Sequence, residues 1–145
     1  MSTQNDNFVI DPNLEKDTFC IGDLELCRVL LMNDSNYPWL VLVPRRVGIV
    51  EIYEMEEADQ QRLVSESSAV AALLQQHFSA DKLNIAALGN VVTQLHLHHV
   101  VRQHDDVAWP RPIWGVVPMS SYGEPELEDR LSALRELFAP LGLVH

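Results

Sequence analysis

"TQLHLHHVVRQHDD", residues 93–106, is the stretch from which the rest of the chain is read. His96, His98 and His99 fall within four positions and His104 follows shortly after. The apolar spacing reads as a strand over 94–102, in which alternate side chains share a face. Gln94, His96 and His98 then point one way, roughly 7 Å apart, and Leu95, Leu97 and His99 point the other. Three uses compete for such a strand. A zinc site needs three or four ligands converging at about 2 Å. The strand supplies two on one face, so His104, Asp105 and Asp106 would have to fold back to complete the set. A phosphate-handling pair needs less: one neutral imidazole attacks phosphorus and a charged one holds a non-bridging oxygen. The third use is structural, a strand that merely tolerates histidines.

Working outward, "KLNIAALGN" (82–90) reads as a neighbouring strand ending at Gly89. Upstream of it, Met55 to Phe78 has helical period: Leu63, Ser67, Val70 and Leu74 form one stripe, with Val64, Ala71 and Phe78 alongside. Glu56, Glu57, Asp59, Gln60, Arg62 and Glu66 cover the rest. "LELCRVLLM" (24–32) and "WLVLVP" (39–44) flank the turn-forming "NDSNYP" and read as an antiparallel hairpin. Asp11, Pro12 and Glu15 signal a short helix over about 12–19. "DDVAWPRPIWGVVP" is too rich in proline for regular structure, and a last helix is expected near "EPELEDRLSALRELFA". The expected class is α+β: an antiparallel sheet with a long helix and a C-terminal helix packed on it. One domain over 1–145 is expected, its core about 8–103 and residues 104–145 a C-terminal extension.

Composition narrows the partners. The chain has 145 residues, 47% hydrophobic and 21% charged, with a net charge of −11. Apart from Arg45-Arg46 it has no basic cluster, which argues against general nucleic-acid binding, since that needs cations to displace counterions. A small phosphate ligand stays open, because imidazoles and backbone N–H groups hold one phosphate whatever the net charge. No apolar run approaches the roughly 20 residues of a membrane span. "MSTQNDNFVI" has neither the basic nor the apolar region of a signal peptide. Cys20 and Cys27 show no metal or redox spacing, and reduced thiols in a cytoplasmic protein are expected.

With these residues in place, "GNVVTQLHLHH" resembles the motif of the histidine triad (HIT) superfamily of nucleotide hydrolases and transferases. That motif is Gly-Gln-x-φ-x-His-φ-His-φ-His-φ-φ, φ being apolar. Gly89 matches its glycine and Asn90 stands at its glutamine. Gln94, His96 and His98 stand at its first, second and third histidines. "LLMNDSNYPWLVLVPRR" is similar to the family's strand, Asp/Asn loop and Pro-basic strand end, so the likeness spans about 8–103. The resemblance implies a nucleotide or dinucleoside polyphosphate substrate, a homodimer, and no metal or other cofactor in the chemistry. It implies attack on the α-phosphorus by His96, giving a covalent nucleotidyl-imidazole, with His98 on the α-phosphate. It further implies that Val91 offers phosphate its backbone N–H and that Asn33 binds the ribose hydroxyls. Asn84 lines the pocket by a looser match, and the base sits in an apolar slot near Phe19 or Ile21.

Gln94 is the main departure from the motif. It offers hydrogen bonds and a carbonyl that can orient His96, but it cannot titrate. Leaving groups that need a proton should therefore suffer more than phosphates and polyphosphates. Val91 also lacks the hydroxyl usual at its position. A nucleotide-binding module without turnover and a metal-binding or structural protein are the competing readings. His99 is read as a partly buried histidine bonded to a carbonyl, the alternative being a substitute for the missing first histidine. His104 with its aspartates is read as a solvated loop, and Arg45-Arg46 as a surface pair more than a steering device. His77 stands at a helix C-terminus and carries no role. Trp109 and Trp114 are expected to cover the core's edge, the pocket rim or a dimer interface.

Overall fold

A computed structural model describes residues 7–145. Most of "MSTQNDNFVI", on which the expectation about a signal peptide rests, lies outside the described residues. In chain order the elements are α1 (Pro12–Glu15), β1 (Thr18–Asp23), β2 (Cys27–Met32), β3 (Trp39–Pro44), α2 (Glu57–Phe78), β4 (Lys82–Ala86), β5 (Leu97–Arg102) and α3 (Glu124–Phe138). Short 3₁₀ turns lie at Ile52–Glu54 and Ala139–Leu141. The sheet has the order β1-β2-β3-β5-β4, and each neighbouring pair is antiparallel. The fold is α+β, a five-stranded antiparallel sheet with helices.

Both faces of this sheet are covered, which is why its central strands read as unbroken apolar runs. Leu40, Leu42, Leu97 and Val101 face α2 and α3, in a core with Leu63, Val70, Leu74, Leu134 and Phe138. Trp39, Val41, Val43 and Val100 face the other way and pack against Ile10, Leu14, Ala108 and Ile113. The proline-rich segment is irregular, as its composition predicts, yet Ala108 and Ile113 are buried in the second core and Trp114 and Val116 pack against it.

Three expectations need correction. The first helix is one turn and ends at Glu15, not near residue 19. The Thr18 hydroxyl donates to the Leu14 carbonyl at 3.0 Å, an alternative to the next helical bond. Residues 18–23 pair with 28–32 as β1 instead. The strands flanking the histidines are shorter than the pattern suggests, stopping at Ala86 and starting at Leu97, so residues 87–96 form a loop. Finally, α2 buries Glu66 and exposes Val64, at 8% and 63%. The Glu66 carboxylate accepts the backbone N–H groups of Leu26 and Cys27 at 2.8 and 2.9 Å, which satisfies the start of β2. The rest of the predicted stripe, Leu63, Ser67, Val70 and Leu74, is buried.

Candidate active site

The loop 87–96 supplies Leu88 to Val92 and His96 to the wall of a cavity of about 420 Å³, while its Leu95 packs in the helix-side core. His96 and His98 form part of its wall, with Gly89, Asn90 and Val91 from the loop. Gly89 is there because nothing larger fits. A Cβ at this position would lie 2.5 Å from the Val92 carbonyl oxygen and 2.9 Å from Cε1 of His96.

Each histidine is held differently. His96 Nδ1 donates to the backbone carbonyl of Gln94 at 2.7 Å. A carbonyl only accepts, so Nδ1 carries a proton, and in the neutral ring Nε2 is the nitrogen left with its lone pair. His98 has both nitrogens engaged: Trp39 Nε1–H lies 3.0 Å from its Nδ1, and its Nε2 is 2.8 Å from the Leu88 carbonyl. The two rings are 4.9 Å apart, centroid to centroid. Burial pushes His98 down to about 4, with smaller pushes from His96 and His99 working against the Leu88 bond. The charged third imidazole expected from the sequence is therefore a neutral one in this cavity.

His99 lies on the opposite face and is fully buried. Its Nδ1 donates to the Leu97 carbonyl at 3.1 Å, and the Ser67 hydroxyl of α2 donates to Nε2 at 2.7 Å. Burial pushes it down to about 4. It is a core histidine, and strand alternation keeps it from standing in for Gln94.

The Gln94 side chain turns toward the N-terminal segment. Its Oε1 accepts from the Asp11 amide at 2.9 Å and its Nε2 donates to the Val9 carbonyl at 2.8 Å. Its link to His96 is the backbone carbonyl alone. Asn33 is occupied elsewhere: Oδ1 accepts the Tyr122 amide at 3.0 Å and Nδ2 donates to the Ser121 hydroxyl at 3.4 Å. Asn84 Oδ1 accepts from buried Arg102 at 2.7 Å. Gln94, Asn33 and Asn84 are thus not among the cavity's lining residues. Of the two residues expected near the base, Ile21 is fully buried in the helix-side core and Phe19 is half-buried on β1; neither is among the cavity's lining residues.

What the sequence reading missed is the rest of the wall. Asn13, Leu14, Lys16 and Asp17 come from α1 and the turn after it, and Met32 and Trp39 from the hairpin. Trp39 stands on the His98 face of β3 by simple alternation, a signal available once the strand order is known. Trp114 also lines the cavity, its ring 5.1 Å from that of His98. Trp109 instead lies against Arg102 and His104. His104 and its neighbours do not fold back: Asp106 is paired with Arg102, and the His104 amide bonds Asp81. No group of three or more His, Cys, Asp or Glu side chains among the described residues is placed to hold a metal ion. Arg45 donates to the Leu24, Leu26 and Glu25 carbonyls and Arg46 pairs with Asp59, so neither reaches the cavity.

This histidine-walled cavity stands inside a stretch, residues 13–105, that matches the HIT domain family. The chain belongs to the HIT family. HIT proteins are generally nucleotide-binding hydrolases and transferases. A histidine triad protein of Marinobacter aquaeolei is 48% identical, with TM-score 0.90, over 92% of this chain and 98% of that one. One from Bradyrhizobium japonicum is 47% identical, with TM-score 0.86, over 89% and 96% of the two chains. One from Sinorhizobium meliloti is 42% identical, with TM-score 0.87, over 90% and 96%. No curated protein gives a match. Trp114 lies beyond the matched HIT stretch, so part of the cavity wall comes from outside it.

Proposed function

We propose that this HIT protein is a nucleotide hydrolase or nucleotidyl transferase acting on the α-phosphate of a nucleotide conjugate, with a dinucleoside polyphosphate as the model substrate. The observation that carries the reading is the state of His96. Its Nδ1 is bonded to the Gln94 carbonyl, so the neutral ring keeps its lone pair on Nε2, and that ring lines the cavity. In the proposed reaction Nε2 forms a bond to the α-phosphorus as the anhydride oxygen departs with the distal phosphates. Water then cleaves the phosphorus–nitrogen bond, releasing the nucleoside monophosphate and restoring the imidazole. His98 and the loop backbone at Asn90 and Val91 hold the phosphate. Gln94 stands where the family's first histidine would, and it acts through its carbonyl. Asn33, expected at the ribose, has its side chain bonded to Tyr122 and Ser121, and Asn84, expected at the pocket, accepts from Arg102.

A second reading, a binding module without turnover, is favoured by two features: a non-titrating Gln94 and a His98 already satisfied at both nitrogens. A homodimer in a reducing compartment completes the first reading; the free thiols of Cys20 and Cys27 support the compartment. No helix among the described residues is long and apolar enough to cross a membrane.

The test is a quenched incubation with diadenosine tetraphosphate, followed by intact mass, on the wild type and His96→Ala. An added AMP mass in the wild type alone assigns the nucleophile. AMP binding with neither adduct nor release favours the module.

A further inference from the structure

We infer that Trp39 is a positioning residue that fixes His98 as the neutral imidazole protonated on Nε2, so that the cavity presents an N–H, and not a cation, to its ligand. This rests on reading the cavity as a phosphate site. The indole N–H can only donate, and it lies 3.0 Å from His98 Nδ1 with both residues buried. A proton on Nδ1 would put two hydrogens in that gap. The same clash faces the imidazolium. Trp39 therefore selects one of the three forms of the ring, and the remaining proton falls on Nε2. It is donated at 2.8 Å to the Leu88 carbonyl.

The surroundings agree with a neutral ring. His98 meets the Trp39 ring from β3, the Trp114 ring 5.1 Å away, the His96 ring at 4.9 Å and the Leu88 carbonyl. His99 follows it in the chain on the other face, and no carboxylate among the described residues hydrogen-bonds it. Lys16 and Asp17 line the same cavity, but the bonded partners of His98 are Trp39 and Leu88, so no anion is bonded at Nδ1 to hold a proton there.

The resting partner of the Nε2–H belongs to the loop that walls the cavity, since Leu88 is one of the lining residues. A phosphoryl oxygen entering the cavity replaces the Leu88 carbonyl as acceptor, a direct exchange that needs no change of protonation. The ligand class that fits is an anion rich in acceptors. Because His98 brings no full charge of its own, its hold on phosphate should vary little with pH from about 6 to 8.

Nitrogen-15 NMR of the histidine rings, on ligand-free protein, tests this without turnover. The expected wild-type result is a His98 protonated on Nε2 alone from pH 5.5 to 8, with the Trp39 indole N–H strongly hydrogen-bonded and slow to exchange. In Trp39→Phe, which keeps the ring and drops the donor, His98 should show mixed tautomers and titrate nearer the ordinary histidine range. Adding AMP to the wild type should shift the Nε2–H and leave Nδ1 unprotonated. A wild-type His98 protonated on Nδ1, or charged at pH 7, overturns the proposal, and this measurement stands even if Trp39→Phe does not fold. A Trp39→Phe protein with an unaltered His98 tautomer also overturns it, since Leu88 alone would then suffice. A null result in the AMP-adduct experiment, by contrast, would reject the hydrolase reading and leave the tautomer assignment as measured.

Discussion

The side-chain oxygen of Gln94 accepts the backbone N–H of Asp11 at 2.9 Å, across 83 positions of chain. The same amide donates to the Val9 carbonyl, so one side chain ties down the segment that leads into α1. That segment continues into Asn13, Leu14, Lys16 and Asp17 of the cavity wall. Gln94→Ala should therefore act mainly on binding. We expect KM to rise by up to roughly tenfold and kcat to fall less, because the backbone carbonyl that orients His96 survives the substitution. The loss of two hydrogen bonds should cost about 1–2 kcal/mol in urea unfolding. A large fall in kcat at unchanged KM would instead make the amide part of the chemistry.

Gly89→Ala probes the loop directly. The added methyl would meet the Val92 carbonyl and the edge of His96 at 2.5 and 2.9 Å, so one of them must move. A shift of about 1 Å in a nucleophile costs on the order of 100-fold in rate. The expected outcome is that loss in AMP release with a cooperative thermal transition retained. Full activity would show that the loop yields without disturbing His96.

Acid should weaken the fold through His98 and His99. Both sit at about 4 in the folded protein against 6.5 for the free side chain. Below 6.5 the unfolded chain takes up protons that the folded chain refuses. Stability is therefore present above 6.5 and falls as pH drops toward 4, by up to about 1.4 kcal/mol per pH unit per histidine. Urea midpoints measured between pH 7.5 and 4.5 check this. Ser67→Ala, which leaves His99 Nε2 buried without its partner, should cost about 1–3 kcal/mol at pH 7.5 and spare activity in the folded fraction.

The buried cation Arg102 depends on Asp106. Arg102 is 1% exposed, and its guanidinium meets Asp106 at 2.8 and 3.1 Å. Asp106→Asn leaves most of that charge uncompensated and should cost about 3–5 kcal/mol. Asn84→Ala removes one further acceptor and should cost less. Equal stabilities for wild type and Asp106→Asn by chemical unfolding would contradict this account.

Substrate choice should follow leaving-group chemistry. Neither Gln94 nor the neutral His98 is a ready proton donor to an amine, whereas a polyphosphate departs without one. With matched adenosine substrates, kcat/KM should be higher for the anhydride than for the phosphoramidate. Equal or faster turnover of the phosphoramidate rejects the preference.

Much of this was legible in linear order. The stripe Leu63, Ser67, Val70 and Leu74 predicts α2, and the runs around "NDSNYP" predict β2 and β3. Alternation alone sends His99 to the core and His98 to the other face, because side chains on a strand change sides at every residue. The Gly89-to-His98 spacing carries the family likeness. Less was legible where a segment's fate depends on a remote partner. Thr18 and Phe19, the start of β1, look like a helix tail until Thr18–Asp23 is laid beside β2. Glu66 looks like surface until two backbone N–H groups from the start of β2 meet it.

The order of residues sets the helical and strand periods and the face on which His98 and His99 stand, since these depend on neighbours a few residues apart. What each polar side chain does emerges from the folded chain. Gln94 bonds to Val9 and Asp11, Asn33 to Ser121 and Tyr122, and His98 to Trp39 and Leu88. The physical reason is that a buried polar group takes its role from the partner that satisfies it, and here many of those partners lie tens of residues away.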